Sequence, residues 1–346
     1  MKKLLSVLLA FTMVFSLTAC GGGQSASGNA GTEPATSGAS DTINSPLRAQ
    51  EDEVYYMLAF YSGIEYWKGC YNGFTKAAEL YGAKTEFGGP TDSDIASYVN
   101  YIRSVIAKNP AGIALTCNDS TGLIDVINEA RAAGIPVVTY DSDSAQSDRL
   151  AYLGTGNYNA GAAAAKFIAE QIGHAGEVAI VGSPSGSESQ IDRIDGFVEY
   201  MEKNEPDIQV VAIEDGKADS VESSKAAASI MQAYPGVKGF YTTSAQMGAG
   251  VATAVEESGN TGEIKICAFD TDNATLDFIK AGVITGSVAQ GVELMGYWSF
   301  QFLFQTQHDL VVDEWEENRL TPLPTTVDTG VSIVTKENAD LFYAES

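Results

Sequence analysis

The sequence predicts an α/β protein with two similar, doubly wound parallel-sheet domains, and three observations carry that prediction. Short runs apolar on both faces, such as 54–60, 112–117 and 135–140, alternate with stretches of helical spacing. The alternation begins near residue 54 and starts afresh near 152. About 300 residues follow a polar segment that ends near 46, which is the length of two ordinary domains.

In the first run, 54–60 reads as a buried strand. Trp67, Cys70, Tyr71, Phe74, Ala78 and Tyr81 then recur at helical spacing within 66–82. Residues 83–87 form a strand. Asp92 is the expected cap of a helix carrying Ile95, Val99, Ile102 and Ile106, which Asn109-Pro110 ends. A strand at 112–117, a helix at 120–133 stopped by Gly134, and a strand at 135–140 follow. The second run opens with a short strand at 152–154 and an alanine-rich helix at 157–172, closed by Gly173. Strands at 177–181, 208–213, 239–243, 264–269 and 284–289 alternate with helices near 188–203, 220–233, 245–258 and 273–281. A long helix at 291–306 is rich in Leu, Met, Trp and Phe, and 325–335 is short, β-like and proline-flanked.

The segment ahead of the domains reads as an export signal. Lys2 and Lys3 precede an apolar run from Leu4 to Leu17, and Leu17-Thr18-Ala19-Cys20 is followed by three glycines. At about 14 residues the run is short for a membrane span, which needs roughly 20. The Leu-Thr-Ala-Cys end resembles a bacterial lipobox, which implies a lipid on Cys20; an ordinary signal peptide with an incidental cysteine is the alternative. Residues 21–46 are almost all Gly, Ser, Ala, Thr, Asn and Pro, the composition of a flexible spacer. The expected layout is a signal peptide at 1–19 and a lipidated linker at 20–49. An exported chain has no cytoplasmic cofactor pool, which argues against ATP- or NAD-dependent chemistry, and no cofactor is expected.

The formal charge is −25. Without Lys2 and Lys3 the chain has 18 basic residues against 45 acidic ones, a surface that repels nucleic acid. Cys70, Cys117 and Cys267 are widely spaced with no CxxC, so neither a zinc site nor a disulfide framework is indicated. Buried free thiols are expected, with a Cys117–Cys267 bridge as the alternative.

Several chemistries lack their residues. No GxxxxGK[ST] loop occurs, and Gly154-Thr155-Gly156 does not continue as GxGxxG. Gly182-Ser183-Pro184-Ser185-Gly186 has proline where a nucleophile elbow needs serine. The two histidines, His174 and His308, stand away from strand ends. Asp141-Ser142-Asp143 opens like a calcium loop, but Ala145 and Gln146 break it, and no metal is expected. Asp141 and Asp270 as glycosidase carboxylates are the best enzymatic alternative.

Ligands of open parallel sheets bind beyond the carboxyl ends of the strands. There the chain places 62–67, Asn118-Asp119, Asp141-Ser142-Asp143, the 183–193 segment with Gln190 and Arg193, Ser244, Asp270 and Gln290. They come from both runs, which points to a site between two domains for a small polar molecule.

From about 50 to 335 the chain resembles the periplasmic sugar-binding proteins of ABC importers, ribose/galactose type, with the type I periplasmic binding protein fold. The segments that carry the resemblance are Ile64-Glu65-Tyr66-Trp67, Gly134-Ile135-Pro136-Val137-Val138-Thr139-Tyr140-Asp141, Arg193-Ile194-Asp195-Gly196-Phe197, Ala268-Phe269-Asp270 and Val288-Ala289-Gln290. The resemblance implies that Tyr66 and Trp67 wall a sugar slot and that Asp141 and Asp270 accept sugar hydroxyls. It implies that Arg193 is the ligand arginine and that Gln290 is the hinge glutamine that touches ligand. Ser244 stands where the ribose-binding pattern has asparagine. Ser142 replaces an arginine of the pattern, and the second-domain aromatic falls near Ala218, so the expectation is a monosaccharide, with polyols, nucleosides and furanosyl signals left open.

The function expected is therefore an exported binding lipoprotein at the outer face of the membrane or in the periplasm. It would be a monomer without catalytic residues that hands a sugar to an ABC permease. A sensor of the same fold reporting to a membrane receptor and, more distantly, an exported glycosidase are the alternatives. The pattern restart near Thr155, Gln290 ahead of the apolar helix, and the break after Pro322 and Pro324 predict a three-segment hinge. It would divide the chain into 50–154 with 291–325 and 155–290 with 326–346.

Overall fold

The computed structural model describes residues 47–63, 65–92, 94–183, 188–311 and 323–343. Cys20, the signal segment and the spacer lie outside the described residues.

The first sheet comprises β1 (Val54–Leu58), β2 (Lys84–Gly88), β3 (Gly112–Leu115), β4 (Val137–Tyr140), β5 (Tyr152–Gly154) and, from the far end of the chain, β11 (Thr326–Asp328). Its order is β11-β5-β4-β3-β1-β2, parallel throughout. The second sheet comprises β6 (Gly176–Gly182), β7 (Ile208–Asp215), β8 (Val237–Thr242), β9 (Lys265–Phe269), β10 (Gly286–Gln290) and β12 (Val331–Val334). Its order, β12-β10-β9-β8-β6-β7, repeats the first, except that β12 runs antiparallel to β10. The repeat of strand order is the structural form of the restarted sequence pattern.

Each sheet is covered on both faces, which is why its central strands are mostly apolar on both faces. On the first sheet, α1 (Tyr66–Glu79) and α9 (Val292–Gln307) cover Tyr55, Met57, Ala114 and Val138. Helices α2 (Ile95–Ile106) and α3 (Ile124–Ala132) cover the alternate residues Tyr56, Leu58, Ile113 and Leu115. On the second sheet, α4 (Asn157–Ile172) and α5 (Glu188–Asn204) pack over Val178, Ile180, Tyr241 and Phe269. The opposite face is closed by α6 (Ser220–Ala233), α7 (Ala245–Glu257) and α8 (Asn273–Ala281).

In each lobe one helix pair has its backbones pressed together at glycines. A Cβ on Gly296 of α9 would lie 1.7 Å from the carbonyl oxygen of Cys70 in α1, and one on Gly73 would lie 1.8 Å from that of Glu293. In the second lobe a Cβ on Gly161 of α4 would lie 2.0 Å from the carbonyl oxygen of Arg193 in α5. These glycines seat α1 and α5, the helices that carry Tyr66 and Arg193.

The structure corrects several sequence expectations. Asp94, not Asp92, caps α2: its carboxylate accepts the Ser97 N–H at 2.8 Å, while Asp92 accepts the Asp94 N–H at 3.1 Å. The β-like tail is two strands in two sheets. Because β11 pairs with β5, the chain passes from first to second lobe at Thr329-Gly330, beyond the break expected before 326. Pro322 lies outside the described residues; Pro324 stands on the approach to a strand, and the crossing itself is made by Gly330 at φ +74°. As expected, Cys70, Cys117 and Cys267 are free and buried, and the alternative Cys117–Cys267 bridge is absent.

Candidate functional site

Two aspartates hold equivalent places at the carboxyl ends of the sheets. Asp141 follows β4 and Asp270 follows β9, the fourth strand of each lobe in chain order. Both have left-handed backbone, at φ +61° and +69°. Aspartate tolerates this region better than most residues, yet the conformation costs energy and persists only where the surroundings over-determine it. At both positions it turns the carboxylate off the strand end.

Around Asp141 the first lobe supplies hydroxyls. Tyr66, at the start of α1, donates through its OH to Asp141 Oδ1 at 2.9 Å, and Ser142 Oγ donates to Oδ2 at 2.9 Å. Tyr152 OH donates to the Asp141 backbone carbonyl at 2.7 Å. Trp67 lies behind Tyr66, edge-on to it at 4.9 Å and to Tyr140 at 5.8 Å, with its indole N–H donated to the Tyr61 carbonyl at 3.0 Å. At 4 % exposed, Trp67 belongs to the core and stiffens Tyr66, which as a residue is less deeply buried.

The second lobe centres on Arg193, 7 % exposed. Its Nε donates to Asn157 Oδ1 at 2.9 Å and its Nη1 to the Thr243 carbonyl at 2.9 Å, while the guanidinium lies 3.7 Å from the centre of the Phe269 ring. Stacking on an aromatic face and forked donation are what guanidinium does and ammonium cannot. Gln290 joins this group to Asp270 and Thr155. Its Nε2 donates to Asp270 Oδ1 at 2.7 Å, and its Oε1 accepts from Thr155 Oγ1 at 2.8 Å and from Arg193 Nη2 at 3.5 Å. Thr243 Oγ1 donates to Gln190 Oε1. The Ser244 and Tyr241 hydroxyls are buried and have no hydrogen-bond partner among the described residues.

The electrostatics link the two lobes. Burial pushes the Asp141 carboxyl above the ordinary aspartate range, against the Tyr66 and Ser142 hydroxyls and the Arg193 charge, which favour the ionised form. Burial likewise raises Asp270, opposed by Arg193 and Gln290 and reinforced by the negative charge of Asp141. The Arg193 charge thus acts on one carboxylate from each lobe, with donors and acceptors in alternation around them.

Of the residues expected from sequence, Tyr66, Asp141 and Ser142 form one cluster, and Arg193, Asp270 and Gln290 a second facing it. Gln190 and Ser244 flank the second cluster, while Asn118 is exposed at the end of β3. Sequence reasoning missed Asn157, Thr243, Phe269, Thr155 and Tyr152. Asn157 carried a signal: it is the first residue of the helix that follows the restart.

Comparisons with known proteins agree with this fold. AraP, an arabinose binding protein from Geobacillus stearothermophilus, superimposes with a TM-score of 0.81 at 42% identity, covering 85% of this chain and 100% of that one. The sugar-binding protein of a sugar ABC transporter from Bacillus halodurans does so with the same score and identity, covering 84% and 100%. The D-allose-binding periplasmic protein of Escherichia coli (strain K12) is 28% identical over 75% of this chain and 83% of its own length. Over residues 54–307 the sequence matches the family described as periplasmic binding protein domain, and the chain belongs to that family of binding proteins.

Proposed function

We propose that this chain captures a monosaccharide, a pentose of the arabinose type first among candidates, between its two lobes and delivers it to the permease of an ABC importer. The observation that carries this reading is the pair of carboxylates at equivalent strand ends, one per lobe, around the buried Arg193. A sugar presents hydroxyls on all sides of its ring. Carboxylates accept from them, Arg193 and Gln290 donate to them, and the Tyr66 face suits the C–H surface of the ring. The Ser244 hydroxyl gives one more partner. Contacts to both lobes at once favour a closed arrangement, because only that arrangement satisfies both sets. The names of the relatives support the ligand class.

Calorimetry against pentoses, hexoses, polyols and nucleosides tests the reading, with a pentose or hexose expected to bind. Binding of a nucleoside but of no free sugar would overturn it. The same titrations carry a pH signature. A carboxyl whose folded pKa is raised contributes stability below its unfolded value, and that contribution is lost as pH rises through the folded one. Burial penalises the ionised form of both carboxyls, and sugar hydroxyls relieve that cost by bonding the ionised form. Affinity should fall as pH drops through the raised values, starting above the ordinary aspartate pKa of about 4, and Asp270→Asn should flatten the fall. A flat profile down to about 4 would refute the role of the carboxylates.

The chain acts in this reading as a monomer tethered by a lipid on Cys20 outside the cytoplasmic membrane. Among the described residues no helix is long and apolar enough to cross a membrane. Cys20→Ala is expected to move the protein from the membrane pellet to the soluble fraction, and an unchanged pellet would refute the anchor.

A further inference from the structure

We propose that the partly buried Asp143–Arg149 pair is a positioning device for Asp141, clamping the loop after β4 so that Asp141 keeps the left-handed backbone that sets the direction of its carboxylate. The inference rests on the reading of Asp141 as a ligand contact. Asp143 and Arg149 touch none of the facing site residues. Arg149 is 9 % exposed and Asp143 22 % at the side chain. They meet in a two-pronged contact, Nε to Oδ1 at 2.6 Å and Nη2 to Oδ2 at 2.6 Å. Asp143 Oδ1 also accepts from Thr139 Oγ1 on β4 at 2.6 Å and from the Ser144 N–H at 2.8 Å. Arg149 Nη1 donates to the Thr325 carbonyl at 2.9 Å, just ahead of β11.

A comparison of the two lobes shows why such a clamp is needed. The site acids stand in matching triplets, Asp141-Ser142-Asp143 and Asp270-Thr271-Asp272. In the second lobe the third residue caps α8: Asp272 Oδ1 accepts the Ala274 N–H at 3.0 Å and the Thr275 N–H at 3.1 Å. A helix thus fixes the backbone beyond Asp270. In the first lobe no helix follows Asp141, and the chain loops to β5 at Tyr152. Asp143, in the place of the capping residue, takes a cation in place of a helix terminus. With it, each residue of the triplet is held: the Asp141 carbonyl by Tyr152 OH at 2.7 Å, the Ser142 carbonyl by the Cys117 N–H at 3.0 Å, and Asp143 by Arg149 and Thr139. Removing the clamp leaves a strained φ with one restraint fewer, and relaxation to ordinary extended backbone would turn the carboxylate away.

The test uses the full mature chain and two readouts. In the free protein, Arg149→Met should speed amide hydrogen exchange at 141–144 by about tenfold or more while Val138 and Thr139 in β4 keep their protection. For arabinose binding, Arg149→Met should cost about tenfold in affinity in the parent but less than about twofold in an Asp141→Asn background, because the pair acts through Asp141. Should Arg149→Met fail to fold, Asp143→Asn combined with Arg149→Gln removes both charges and takes its place. Unchanged exchange at 141–144 overturns the proposal, as does an equal loss in both backgrounds, which marks a merely structural pair. Faster exchange together with parent-like binding by Asp141→Asn supports the clamp and overturns instead the ligand role of Asp141.

Discussion

Replacing Arg193 by methionine is expected to weaken sugar binding by about a hundredfold or more, from a loss of roughly 3 kcal/mol. The side chain is 7 % exposed and serves four groups at once: Asn157, the Thr243 carbonyl, Gln290 and the face of Phe269. Methionine matches the length and fills the space over Phe269, so packing changes little. What disappears is the positive charge that favours the ionised forms of both Asp141 and Asp270. Both carboxyls are already raised by burial and lowered by Arg193, so without it each moves further toward its neutral form, which cannot accept a sugar hydroxyl in the same way. Arg193→Lys should recover little, because an ammonium cannot stack on Phe269 while donating in a fork. Calorimetry with the best ligand reads both variants. An affinity within about threefold of the parent for Arg193→Met, with the thermal transition intact, would remove Arg193 from the site.

How much of this site was legible in the sequence depended on whether a residue's role is local. Asp141 and Asp270 each end an apolar strand, and an acid there has no packing reason, so both stood out. Gln290 was visible for the same reason, at the end of a buried strand. The partners of Arg193 were not. Asn157, Thr243 and Phe269 lie 36, 50 and 76 positions away, and only the closing of the second sheet brings them together. Phe269 in particular reads as one more buried strand residue. The succession of strands and helices and the covering of both faces followed from period and apolarity, since those are properties of each segment alone; the order of the strands within each sheet did not. The pairing of β11 with β5 joins residues over 170 positions apart, and nothing in three residues, Thr326-Val327-Asp328, states which sheet they complete. Trp67 shows the remaining limit. Its spacing fitted both the core stripe and a sugar wall, and only the three-dimensional packing of Phe60, Tyr66 and Tyr140 around it puts it behind the wall.

Gly296→Ala should destabilise the protein by about 3 kcal/mol, the upper end of what overpacking costs, and should loosen the sugar site from a distance. Two terms of opposite sign compete. Alanine in a helix interior gains about 1 kcal/mol over glycine in intrinsic propensity. Against this, the new methyl carbon would stand 1.7 Å from the Cys70 carbonyl oxygen and 2.8 Å from the Phe74 nitrogen. Both are backbone atoms of α1, so no rotamer change relieves the contact. The helices must part by about 1 Å or more, and the dispersion contacts of the layer between them weaken together. That layer holds Phe74 against Phe300 at 5.4 Å and Tyr55 against Phe300 at 4.9 Å. Helix α1 also begins with Tyr66, whose hydroxyl reaches Asp141 at 2.9 Å, so a displacement of this size breaks that bond and exposes the carboxylate to water. Urea denaturation of the free protein should show a lower midpoint with an unchanged slope, and calorimetry a weaker affinity for the same ligand. A variant as stable as the parent would mean that propensity outweighs the clash and that the glycine contact between α1 and α9 does not set the position of Tyr66.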